Sequence, residues 1–177
     1  MISTIKRIWN WLYAKRSEVA QMNYRDAFMA HVVFEILQPG TPHAFEFVPL
    51  DKLLRIHPVD NRENTRDATA RRIKQVEEHA DSLRKKKRLS KDDIAQVLPS
   101  ATYMRAVPGD GGVFYAFEGN GRVAALKASL HTSDRIEVEI DVFRPKKFTR
   151  TIKKIEKLRR MHGMTRENDG DGLGDVE

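Results

Sequence analysis

Residues 113–122 hold the residue types whose spacing comes nearest to chemistry in this chain. The β-rich apolar run Val113, Phe114, Tyr115 and Phe117 stops at Glu118-Gly119-Asn120-Gly121-Arg122, and a helical pattern follows with Val123, Leu126 and Leu130 on one face. A glycine-bearing turn, one carboxylate and one guanidinium therefore fall where a strand hands over to a helix N-terminus. Backbone N–H groups and the helix dipole favour an anion at such a place. Gly119 and Gly121 allow positive φ and a close approach of backbone to a ligand. Arg122 can grip a phosphate through two parallel hydrogen bonds. Glu118 could hold a metal or position a nucleophile. The plainer alternative is an ordinary strand-to-helix turn, with Arg122 in solvent and Glu118 a favourable charge near the helix start.

A second polar cluster is His57-Pro58-Val59-Asp60-Asn61-Arg62-Glu63-Asn64, placed just before a long helix. It reads either as part of a phosphate or metal site or as a loop leading into that helix, capped by Asn64 or Thr65. Gly119, Gly121 and Ala124 also fit G-x-G-x-x-A, with Asp141 about twenty residues on. That dinucleotide fingerprint opens a doubly wound domain, whereas here it falls near the end of the sequence. The six histidines show no H-x-x-x-H or H-E-x-x-H spacing, so no metal site is expected.

The elements that must position these residues follow from periodicity and punctuation. Residues 3–37 read as helical, in two pieces. The first is amphipathic and basic, with Ile5, Ile8, Trp9 and Leu12 on one face. Such a helix docks on its own domain, on a second copy or on a membrane surface. Gln38-Pro39-Gly40-Thr41-Pro42 ends the helical region, and a short strand is expected over 44–48. Residues 66–88 give the clearest helix, with a stripe of Ile73, Val76, Ala80 and Leu83. Ser90 is placed to cap a short helix carrying Ile94 and Val97. Residues 101–107 and 113–117 read as a hairpin around Pro108-Gly109-Asp110-Gly111-Gly112. Residues 135–143 alternate as a half-buried strand, and 148–162 form a basic helix with Ile152, Ile155 and Leu158 on one face.

Composition bounds the function classes. The 177 residues, 40% hydrophobic and 32% charged, suit one domain with extensions. No apolar run approaches the ~20 residues of a membrane span, and residues 1–17 lack the apolar core and cleavage site of a signal peptide. The absence of cysteine excludes disulfide and thiolate chemistry and fits a cytoplasmic setting. The net charge of +7 makes polyanions plausible partners. Basic residues gather at 84–88 and along 146–160, while 167–177 is acidic and glycine-rich and reads as a disordered tail.

The order of pieces is a strand ending in PLDKL, a loop with H-P-x-x-N-R, the helix RRIKQVEEHADSLRKKKRL, a hairpin, the turn EGNGR, a helix starting RVAALKA and the strand IEVEIDVF. This order resembles the ParB/sulfiredoxin-like domain over roughly residues 45–143. The resemblance implies that Gly119, Asn120, Gly121 and Arg122 form a nucleotide-phosphate loop and that Arg62 faces it from the upstream loop. It also implies that Glu118 stands where kinase-like members carry an acidic residue. Departures limit what it carries over. No cysteine is present for sulfiredoxin chemistry, and Gly121-Arg122 replaces the two arginines of partition proteins. The kinase-like members' histidine is missing near the turn, and 34 residues after Phe143 are too few for a DNA-reading domain.

The expectation is an α+β domain with a small mixed sheet and packed helices over 44–143. A helical arm (1–43), a basic helix (144–166) and the acidic tail (167–177) flank it. Three functional readings remain open. The first is binding of a nucleoside triphosphate, with Mg²⁺, or another phosphorylated ligand by Arg62, Gly119, Asn120, Gly121 and Arg122. The second is phosphoryl-transfer or nuclease chemistry with Glu118 as catalytic residue. The third is nucleic-acid binding through Lys85, Lys86, Lys87, Arg88, Lys153, Lys154 and Lys157. The N-terminal helices offer a homodimer contact.

Overall fold

A mixed sheet runs through the middle of the molecule with helices on both faces. The computed structural model describes residues 24–58 and 63–165. The elements are α1 (Tyr24–Ile36), β1 (His43–Pro49), β2 (Leu53–Arg55), α2 (Glu63–Lys86), β3 (Arg88–Leu89), α3 (Lys91–Val97), β4 (Arg105–Pro108), β5 (Phe114–Glu118), α4 (Asn120–Ser129), β6 (Glu137–Phe143) and α5 (Phe148–Met161). The sheet order is β1-β6-β4-β5-β2, with β3 pairing beside β6. The expected α+β architecture with a small mixed sheet is therefore the one adopted. Residues 1–23, the Arg62 loop and the acidic tail lie outside the described residues.

Strand alternation sends neighbouring side chains to opposite faces. Leu53, Ala106, Ala116, Val138, Ile140 and Val142 point to one core, which Val76, Ala80 and Leu83 of α2, Ile94 of α3 and Val123 and Leu126 of α4 complete. Leu54, Val107, Tyr115, Phe117 and Phe143 point to the other, closed by Val32 and Ile36 of α1 and Ile152, Ile155 and Leu158 of α5. Each fully buried Leu or Ile contributes roughly 1.5–3 kcal/mol. The two helices flanking the 44–143 segment are thus the cover of one sheet face.

Local signals explain the boundaries. Ser90 caps α3 in a reciprocal box, its Oγ accepting from the Asp93 N–H while Asp93 Oδ2 accepts from the Ser90 N–H. Lys87, in the left-handed region at φ 61°, terminates α2. The hairpin forms as expected, β4 antiparallel to β5, with a register irregularity between Arg105 and Ala106. Strand β2 escaped periodicity because it is three residues long and buried on both faces. It pairs in parallel with β5, and this pairing brings His57 to the start of α4. Strand β4 is antiparallel to β5 and parallel to β6, so β5 and β6 run in opposite directions. Helix α4 is therefore no parallel crossover, and the G-x-G-x-x-A match lacks the βαβ frame that its chemistry needs.

Candidate functional site

The turn between β5 and α4 is built around two glycines with different tasks. Gly119 is the residue before the helix and adopts φ 85°, ψ 20°. A Cβ there would stand 2.8 Å from Met104 Cγ and 3.1 Å from Arg122 Nη2. Gly121 lies within the helix, so the expectation of positive φ holds for Gly119 alone. What Gly121 provides is closeness, because a Cβ on it would sit 3.1 Å from Arg72 Nη1 of α2 and 3.8 Å from Thr69 Oγ1. No side-chain cap closes the start of α4, so its first N–H groups keep the positive end of the dipole open.

Arg122 is not in solvent. Its side chain folds back over its own turn and the residue retains 8% exposure. Among the described residues no hydrogen bond or ion pair engages its guanidinium. Burial, with the cationic Arg72 nearby, lowers the Arg122 pKa from its ordinary value, while the negative charge of Glu118 acts the other way. A mostly buried residue whose cation has no bonded counterion is only partly compensated, and two guanidiniums at one uncapped helix start favour an anion.

Glu118 supplies no such counterion at bonding distance. Its Oε2 accepts from Arg105 Nη1 at 2.9 Å. Arg105 Nε lies 3.7 Å from Asp141 Oδ2, and Asp141 Oδ1 is 2.8 Å from His43 Nδ1. A row of acidic and basic side chains thus crosses β5, β4, β6 and β1 and holds Glu118 to one side of the turn.

Asn120 is buried, and its amide is partly committed. Its Nδ2 donates to His57 Nε2 at 2.8 Å, because His57 Nδ1 donates to Pro58 O at 2.7 Å and leaves Nε2 as the acceptor. Asn120 Oδ1 is buried with no donor among the described residues. An acceptor in that state costs about 1–3 kcal/mol and suits a ligand that offers a hydroxyl or amino donor. Arg62 lies outside the described residues. Arg72 and Arg105 adjoin the turn in space but are distant from it in sequence. The one available signal was Thr69, which extends the buried stripe of α2 and aligns Arg72 beside it.

The basic residues do not merge into one free patch. Lys86 pairs with Asp93, Lys87 Nζ donates to Asp134 O, and Arg88 pairs with Glu137 while stacking over Phe47. Lys85 is exposed at the end of α2. On α5, Lys154 pairs with Glu35, Lys157 lies over Phe28 and Lys153 is exposed. A cleft of ≈ 390 Å³ between α1 and the start of α5 is lined by Lys146, Lys147, Arg150 and Lys154. Among the described residues no group of three or more His, Asp or Glu side chains could hold a metal ion, and no helix is long and apolar enough to cross a membrane.

No family model, curated protein or solved structure matches this chain.

Proposed function

We propose that the β5–α4 turn binds a nucleoside triphosphate or another phosphorylated ligand, within a ParB/sulfiredoxin-like domain. The observation that carries this reading is Arg122, more than nine-tenths buried at an uncapped helix start, with no bonded partner among the described residues. A phosphate would supply its missing counterion and accept from the open backbone N–H groups of the turn. Asn120 Oδ1 would receive a hydroxyl or amino donor of the same ligand. Mg²⁺ would enter with a triphosphate, held mostly by phosphate oxygens and water. Phosphoryl-transfer chemistry through Glu118 has less support, because Arg105 engages that carboxylate. Nucleic-acid binding has less support too, since Lys86, Arg88, Lys154 and Lys157 are engaged in ion pairs or ring contacts.

The test is a thermal-shift and calorimetric comparison of the wild type with Arg122→Ala, using nucleoside triphosphates with Mg²⁺, diphosphates and inorganic phosphate. A ligand at ~100 times its Kd should add about 2.7 kcal/mol to the stability of the wild type. Arg122→Ala should weaken binding at least about tenfold, as loss of a charge-assisted contact does. Equal affinity in wild type and variant would remove the turn from consideration.

A further inference from the structure

We propose that Arg72 of α2 is a second phosphate-binding guanidinium and that, with Arg122, it selects a terminal, doubly charged phosphate over a singly charged diester. This rests on the turn being the phosphate site. Three features of the fold carry it. Gly121 has no side chain at the point where Arg72 Nη1 passes, 3.1 Å from where a Cβ would stand. Gly119 likewise leaves the approach of Arg122 Nη2 clear at 3.1 Å. Both guanidiniums are thereby brought to the same turn from two helices. They are also close enough that the charge of Arg72 acts on Arg122. Among the described residues neither has a hydrogen bond or ion pair to a carboxylate.

Two like charges in a partly desolvated place repel each other and are only partly offset by Glu118, which acts through space. A single negative charge offsets one of them. A terminal phosphate monoester carries close to two charges at neutral pH and three acceptor oxygens, so it can satisfy both guanidiniums and the helix N–H groups together. A diester, with one charge and two free oxygens, cannot. Glu118, the carboxylate of the turn, is held by Arg105 at 2.9 Å and leaves this demand to the ligand.

The experiment titrates the full-length wild type, Arg72→Met, Arg72→Lys and Arg122→Met with inorganic pyrophosphate, methyl phosphate and dimethyl phosphate, following ³¹P resonances. Thermal melts check that each variant is folded. The wild type should bind pyrophosphate and methyl phosphate and discriminate against dimethyl phosphate by at least about tenfold, the loss of one charge-assisted contact. Arg72→Met should lose about ten- to a hundredfold in affinity for the first two and most of the discrimination. Arg72→Lys should lie between, since it keeps the charge without the fork. If Arg122→Met loses binding while Arg72→Met binds as the wild type does, Arg72 is a bystander and the proposal fails while the phosphate site stands. Equal binding of methyl and dimethyl phosphate would refute the terminal-phosphate preference. A wild type that binds no phosphate compound, nucleoside triphosphates included, would overturn the site itself.

Discussion

At the scale of single residues, Gly119 and Gly121 look alike in sequence and differ in what they do. Gly119 holds a left-handed conformation with Met104 pressed against it. Gly119→Ala should therefore destabilise by about 1–2 kcal/mol from the backbone alone, with the Met104 contact adding to it. Gly121 is helical and faces only the far end of the flexible Arg72 side chain and Thr69 Oγ1. Gly121→Ala should stay within about 1 kcal/mol of the wild type, since better helix propensity offsets the displaced neighbour, and should weaken pyrophosphate binding several-fold. Denaturant unfolding and a pyrophosphate titration of the two variants check this. A Gly119→Ala protein as stable as the wild type would show that the turn has another conformation. Arg122 was readable from its place beside the glycines. Arg72 was not, because it lies fifty residues earlier and meets the turn only through the packing of α2 on α4.

Among elements, the row from Glu118 through Arg105 and Asp141 to His43 determines which charges remain open at the turn. Glu118 already acts on Arg122 through space, so freeing its carboxylate should let it occupy the guanidinium. Arg105→Gln is expected to lower phosphate affinity about tenfold, although Arg105 need not touch the ligand. Adding Glu118→Gln in the same chain should restore affinity to near the wild-type value by removing the competing carboxylate. Calorimetric titration of the single and double variants with pyrophosphate distinguishes this from simple disruption, because a damaged fold would not be rescued by a second substitution. Arg105 was hard to read from sequence. It sits at a register irregularity in β4, where simple alternation no longer tells which face a side chain takes.

Across the whole molecule, α1 and α5 close the second sheet face, and the chain leaves α5 at His162. That ring is partly buried, its Nε2 lacks a hydrogen-bond partner among the described residues, and it lies 6.3 Å from the His57 ring, centroid to centroid. Burial lowers its pKa from 6.5, as do the neighbouring His57, when protonated, and Arg25, while Asp26 opposes them. The unfolded chain therefore takes up a proton that the folded protein resists. Stability should be intact above about pH 6.5 and fall as the pH drops toward the lowered folded value. Thermal melts between pH 8 and pH 5 should show that loss, with a flatter profile in His162→Gln. An unchanged slope in that variant would assign the acid sensitivity elsewhere.

Periodicity and punctuation alone determined most of the elements here. The stripe on α2, the Ser90 cap, the glycine-rich hairpin, the alternation of β6 and the apolar face of α5 are all local properties, expressed by neighbours three or four residues apart or two apart. The same local reading marked Glu118–Arg122 as a turn suited to an anion. Tertiary structure alone decided that Arg122 is buried rather than solvated, that Arg72 joins it, that Glu118 is held by Arg105, and that one edge of Asn120 is tied to His57. It also decided that α1 and α5 belong to the core. Each of these depends on contacts between residues far apart in sequence, brought together by strand order and by helix packing across the sheet. No local spacing encodes such contacts, which is why the turn could be located from the sequence while its charge balance could not.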